Sequence, residues 1–80
     1  MKRKIELFGR LRDAGFGAAV TVDLPGGSTA RRALQALQAV FGAKSALLDG
    51  CVLAGDDTVL NAAERLPSGR LAVLPPVCGG

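Results

Sequence analysis

Pro25-Gly26-Gly27-Ser28-Thr29-Ala30-Arg31-Arg32-Ala33-Leu34-Gln35-Ala36-Leu37-Gln38-Ala39-Val40-Phe41-Gly42 is the stretch on which the fold turns. Pro25-Gly26-Gly27 stops whatever precedes it, and Ser28 or Thr29 can accept a hydrogen bond from a free amide in the first turn of a helix. Behind that cap Ala30, Leu34, Leu37 and Phe41 are spaced by four, three and four residues, which places them on one helical face. Gly42 is the expected terminator. A Gly-Gly-Ser-Thr turn leading into a helix also suits a phosphate, but the lysine and spacing of a P-loop are missing. Arg31 and Arg32 fall off the apolar face and read as solvated surface.

Strand signals flank this helix on both sides. Between Lys4 and Arg10, Ile5 and Leu7 alternate with Lys4, Glu6 and Arg10, the pattern of a half-buried strand. Phe8 interrupts the polar face, either as a core residue at the strand end or as an exposed apolar anchor. Gly9, Gly15 and Gly17 loosen the chain towards a second run, in which Val20, Val22 and Leu24 alternate with Thr21 and Asp23. These two runs predict an antiparallel pair.

Beyond the helix, Ala43 to Leu48 suggests a short helical turn, and Asp49-Gly50 leads into a strand from Cys51 to Ala54. Gly55-Asp56-Asp57 is a tight turn, since no further ligand stands at calcium-loop spacing, and Thr58 to Leu60 forms a short strand. Asn61 to Arg65 reads as one helical turn, and Arg70 to Leu74 as the last strand, ending at Pro75. The order predicts an α+β fold, with a mixed sheet covering one side of the main helix.

With 80 residues, 49% of them hydrophobic and 21% charged, there is room for one core and no second domain. The absence of His, Trp and Tyr removes most neutral-pH general bases, transition-metal ligands and base-stacking platforms, so self-contained catalysis and RNA binding are disfavoured. A net charge of +3 is a modest excess. Met1-Lys2-Arg3-Lys4 imitates the start of a signal peptide, but Glu6, Arg10, Arg12 and Asp13 interrupt any apolar stretch, so no export signal is expected. Nor does any segment approach the roughly 20 apolar residues of a membrane span. Cys51 and Cys78 are then expected to be free thiols in a reducing cytoplasm, with Cys51 a small buried hydrophobe.

The remaining residues, Pro75-Pro76-Val77-Cys78-Gly79-Gly80, divide the chain into a body of residues 1–74 and a tail of residues 75–80. Two prolines fix two φ angles and remove two backbone donors, so the chain leaves the sheet as a stiff extended segment. Gly79 and Gly80 lack a Cβ and fit a narrow channel, which brings the Gly80 carboxylate to another protein's active site. A carboxylate is a poor acyl donor until activated, for instance as an acyl adenylate made by an ATP-using partner, after which a sulfur nucleophile yields a thiocarboxylate. The competing reading is a frayed end of small residues.

Leu71-Ala-Val-Leu-Pro-Pro-Val-Cys-Gly-Gly80 resembles the carboxyl end of the small subunit of molybdopterin synthase, the MoaD-type ubiquitin-like sulfur carrier of the MoaD/ThiS family. Phe8-Gly9-Arg10-Leu11-Arg12-Asp13 is similar to the segment at the end of that family's first strand, and the element order fits a β-grasp throughout. The resemblance implies that Gly80 is adenylated by an E1-like enzyme of the MoeB type, using ATP, and converted to a thiocarboxylate with sulfur from a cysteine desulfurase or rhodanese. The tail, with Val77, Cys78 and Gly79 threading, would then enter the MoaE-type large subunit, where sulfur passes to a cyclic pyranopterin precursor. It further implies a partner-docking patch of Phe8, Leu74, Pro75 and Pro76, with Arg12 pairing with a partner carboxylate. No cofactor or metal is expected on this chain, nor any nucleic-acid or membrane partner, nor activity without the large subunit.

The chain departs from the family pattern in two places. Gly69-Arg70 stands where relatives commonly carry an acidic pair, so the electrostatics towards partners are expected to differ. Cys78 stands where small residues are usual, as a passive side chain or as a thiol able to attack activated Gly80 or form a mixed disulfide. Carriers for thiazole formation, tRNA thiolation or a tungsten cofactor share the fold and the Gly-Gly end. A ubiquitin-like modifier joined to a lysine is the alternative from another class.

Overall fold

The computed structural model describes residues 1–76. Val77, Cys78, Gly79 and Gly80 lie outside the described residues. Five strands, β1 (Lys2–Leu7), β2 (Ala19–Asp23), β3 (Val52–Ala54), β4 (Val59–Leu60) and β5 (Leu71–Leu74), form one sheet in the order β2-β1-β5-β3-β4. Helix α1 (Ala30–Phe41) lies between β2 and β3 in sequence. β1 runs antiparallel to β2 and parallel to β5, and β5 is antiparallel to β3, so the sheet is mixed as expected. The two halves of the chain meet where β5 inserts between β1 and β3.

The decisive helix forms for the reasons its sequence gives. Thr29 is the cap, its Oγ1 accepting the Arg32 N–H at 3.3 Å, an interaction worth about 1 kcal/mol. The two amides before it donate elsewhere, Ala30 N–H to the Glu64 carbonyl at 2.8 Å and Arg31 N–H to the Ala62 carbonyl at 2.9 Å. At the other end the Gly42 N–H donates to the Gln38 carbonyl. Ala30, Ala33, Leu37 and Phe41 are buried and Leu34 is half-buried, so the apolar face is turned slightly towards Ala33 relative to the sequence reading. That face packs on Ile5, Leu7, Val22, Leu53, Leu60, Leu71 and Val73 from the sheet. No charged or polar residue is buried among the described residues.

The structure corrects two expectations. Asn61 to Arg65 is a turn and bridge, because its carbonyls at Ala62 and Glu64 serve the start of α1 and are not available for a helix of their own. The segment is held instead by Asn61 N–H donating to Glu64 Oε1 and Ala63 N–H donating to Asn61 Oδ1. The first strand is Lys2–Leu7 and stops short of Arg10, because the chain turns at Gly9 into a 3-10 helix, Gly9–Ala14, that buries Leu11 and Ala14 at a spacing of three. The strand gains at its start what it loses at its end, as the Met1 carbonyl accepts the Leu24 N–H. The segment Gly42–Leu48 is likewise 3-10, and the other strands lie within one residue of their expected bounds.

Candidate functional site

The side of the sheet away from α1 carries the candidate site. Strand alternation puts Ile5, Leu7, Leu53, Leu60, Leu71 and Val73 into the core, and leaves Glu6, Ala72, Ala54 and Val59 as a row running across β1, β5, β3 and β4. Leu74 and Val52 pair in the next row. Phe8, one residue beyond β1, has extended backbone, with φ −127° and ψ 158°, and is 38% exposed. Val52 and Val59 are 38% and 59% exposed. On this side lies an open groove of about 550 Å³, with Phe8, Val59, Ala72 and Leu74 among its apolar walls and Asp56, Asp57 and Thr58 from the β3–β4 turn among its polar ones.

Phe8 is therefore an exposed apolar residue, not part of the buried core, and Leu74 is a half-buried neighbour in the same groove. Pro75 continues from Leu74 and is half-buried, while Pro76 is exposed. Phe8 and Leu74 thus share the groove, and Pro75 and Pro76 follow where β5 leaves the sheet. Arg12 does not join them directly: it sits exposed in the 3-10 helix after Gly9, and neither ion pair among the described residues includes it. Val52, Val59 and Ala72 belong to the same face but were not singled out from sequence. Their signal was there, because Val52-Leu53-Ala54 and Leu71-Ala72-Val73-Leu74 are apolar on both faces, unlike a strand with one side in water.

The polar end of the groove is an ion pair. Arg70 donates from Nε to Glu6 Oε2 and from Nη2 to Glu6 Oε1, both at 2.8 Å, a bidentate geometry that fixes both side chains beside Ala72. The Arg70 hydrogen bonds hold the Glu6 carboxyl below the usual carboxylate range, and the same bonds raise the Arg70 guanidinium. Arg70, the departure noted in the sequence, has its charge answered within the chain. A carboxyl whose pKa is lowered on folding contributes stability above its unfolded pKa and loses it as the pH falls through the folded pKa. Thermal melts of the protein and of Glu6→Gln should therefore differ at neutral pH and converge under acid, the gap being small because Arg70 is exposed. A gap that widens on acidification would contradict the pairing.

Cys51 is buried and its Sγ donates to the Leu47 carbonyl at 3.4 Å. Burial pushes its thiol pKa up, against a weaker opposing effect of Arg10. A neutral, buried thiol is a poor nucleophile, so Cys51 is a packing residue as read from sequence. Among the described residues no group of His, Cys, Asp or Glu is arranged to hold a metal ion.

The model of the ThiS family matches residues 5–80, nearly the whole chain. The chain belongs to the ThiS family. Two solved structures of one archaeal protein agree in fold: SAMP1 from Haloferax volcanii, 27% identical with a TM-score of 0.77 over 100% of both chains, and H. volcanii small archaeal modifier protein 1, 25% identical with a TM-score of 0.79 over 95% of this chain and 98% of that one. A putative molybdopterin converting factor, subunit 1, from Pyrococcus furiosus shares the fold at 20% identity and a TM-score of 0.67, over 96% and 99% of the two chains. No curated protein matches the sequence significantly. The ThiS-family assignment and these likenesses make the mixed sheet and helix a ubiquitin-like β-grasp. They place the chain in the ThiS/MoaD-type class of small sulfur carriers and ubiquitin-like modifiers, proteins that work with partner enzymes.

Proposed function

We propose that this chain is the sulfur-carrier subunit of a molybdopterin synthase, working in the cytoplasm. The Gly80 carboxylate attacks the α-phosphate of ATP on an E1-like activating enzyme and releases pyrophosphate. The outer sulfur of a persulfide on a cysteine desulfurase or rhodanese displaces AMP from the acyl adenylate to give an acyl disulfide, and a second thiol cleaves its S–S bond, leaving a disulfide on the donor side and a thiocarboxylate on Gly80. The tail then enters the large subunit, where the thiocarboxylate sulfur bonds to a cyclic pyranopterin precursor and water hydrolyses the resulting thioester, leaving the sulfur on the precursor and returning the carboxylate. This chain holds no cofactor in the cycle; ATP is consumed by the activating partner. Phe8, Leu74, Pro75 and Pro76 dock the partners, Val77, Cys78 and Gly79 thread the channel, and Arg12 meets a partner carboxylate at the rim.

The observation that carries this reading is the run Leu71 to Gly80, in which a central strand ends in two prolines and the sequence continues to Gly79-Gly80. Pro75-Pro76-Val77 before that pair favours the molybdopterin pathway over the thiazole one. Its test is reconstitution: the chain, its activating enzyme, ATP and a sulfur donor are combined with the large subunit and the pyranopterin precursor, and dithiolene formation is followed. Turnover that requires this chain and is lost on removing Gly80 supports the proposal; normal turnover by the truncated chain sinks it.

A second reading, conjugation to lysines of other proteins, is favoured by the likeness to SAMP1. It uses the same adenylate but ends in an isopeptide bond, so lysine-linked products at the expense of thiocarboxylate would select it.

A further inference from the structure

The segment that leads into the tail passes between two glycines. β5 lies between β1 and β3; Gly9 follows the end of β1 and Gly50 precedes the start of β3. Both have left-handed backbone, with φ 60° and 76°. Both also stand against the diproline. A Cβ on Gly9 would lie 3.0 Å from Pro75 Cγ and 3.8 Å from its Cδ, and a Cβ on Gly50 would lie 3.4 Å from both Cβ and Cγ of Pro76. Two successive rings of fixed φ are therefore each flanked by a backbone that has no side chain, one on each side of β5.

We infer that Gly9 and Gly50 form a collar that seats the Pro75-Pro76 step and sets the direction of the chain as it leaves the sheet at Pro76. The collar makes both glycines positioning residues for delivery of Gly80, a consequence that rests on the carrier reading above, although the collar itself does not. Its leverage comes from stiffness. The two fixed φ angles give the Pro75-Pro76 step few ways to absorb a displaced ring, so a shift there moves the point from which the chain continues past Pro76. Misplacing a reacting atom by an ångström can cost about a hundredfold in rate. The collar differs from ordinary turn chemistry in a way the molecule itself illustrates: Gly27 has the same kind of backbone, φ 79°, with nothing within 4 Å of the position its Cβ would take.

The experiment compares wild type, Gly9→Ala, Gly9→Asn, Gly50→Ala and Gly27→Ala. Asparagine tolerates positive φ, so Gly9→Asn keeps the turn while placing a Cβ against Pro75, and it serves if Gly9→Ala fails to fold. In amide NMR spectra, which need no partner, the resonances of residues 77–80 should shift in the Gly9 and Gly50 variants and hold still in Gly27→Ala. With the activating enzyme and ATP, Gly9→Asn should release pyrophosphate at least about tenfold more slowly at saturation while its affinity for the enzyme is unchanged. Combining it with Pro75→Ala should cost less than the product of the single effects, because the two side chains act on one contact. Tail resonances unmoved in all collar variants, or moved equally in Gly27→Ala, overturn the collar. Wild type that is never adenylated overturns the carrier reading instead, and the spectra still decide the collar.

Discussion

Replacing Phe8 and Leu74 together by aspartate should weaken binding to the activating enzyme by at least about a hundredfold while the domain stays folded. Both side chains line the groove on the side of the sheet away from α1, where Phe8 is 38% exposed and Leu74 half-buried, so neither closes the core. Apolar residues at the centre of an interface carry most of its affinity, with losses of 2 kcal/mol or more, about thirtyfold, for a single truncation. Aspartate adds the cost of burying an unpaired charge against the partner. Val40 gives the control, since it is 41% exposed but on α1, which packs on the opposite side of the sheet. Val40→Asp should bind as wild type does. Titration by calorimetry with circular dichroism on each variant separates lost docking from lost fold, and undiminished binding by the double variant would remove the groove from the account.

The second large effect concerns stability. Leu37 is fully buried at the centre of the helix face that packs on the sheet. Leu37→Ala removes a side chain from a close-packed site and leaves a cavity, a change that costs about 3 kcal/mol. A domain of this size has roughly 4–12 kcal/mol to lose, so the melting temperature should fall by about 12–24 °C. Leu34, on the same helix but half-buried, should cost clearly less when shortened to alanine. Thermal denaturation of the two variants ranks them, and equal losses would mean that α1 packs with a different face from the one described.

Much of this architecture was legible in the sequence because its signals are local. The Thr29 cap, the three-and-four spacing to Phe41 and the Gly42 terminator each act within a turn of α1, and the structure places the helix at Ala30–Phe41. Ile5 and Leu7 alternate with polar neighbours, and that alternation put β1 in the sheet. What the sequence did not reveal depends on contacts between distant segments. Asn61 to Arg65 has a helix-like composition, but its carbonyls are taken by the α1 amides more than thirty residues earlier. Gly9 looked like loose chain, whereas it turns β1 into a 3-10 helix and stands against Pro75.

The candidate site divides in the same way. Phe8 and Leu74 were visible as apolar residues at strand ends, yet only the register puts Val52 opposite Leu74 and Val59 in the row with Ala72. Arg70 read as a departure in charge, and only the fold brings it to Glu6, sixty-four residues away. The groove, the ion pair at its end and the diproline at its exit arise together because β5 joins β1 and β3 across the middle of the sheet.

The most direct test of the central claim is the intact mass of the chain after incubation with its activating enzyme, ATP and a sulfur donor. The account predicts one oxygen-for-sulfur exchange, localised to Gly80 and absent when Gly80 is deleted. A mass that stays at the carboxylate value with a demonstrably active enzyme, or an exchange that persists without Gly80, would contradict it.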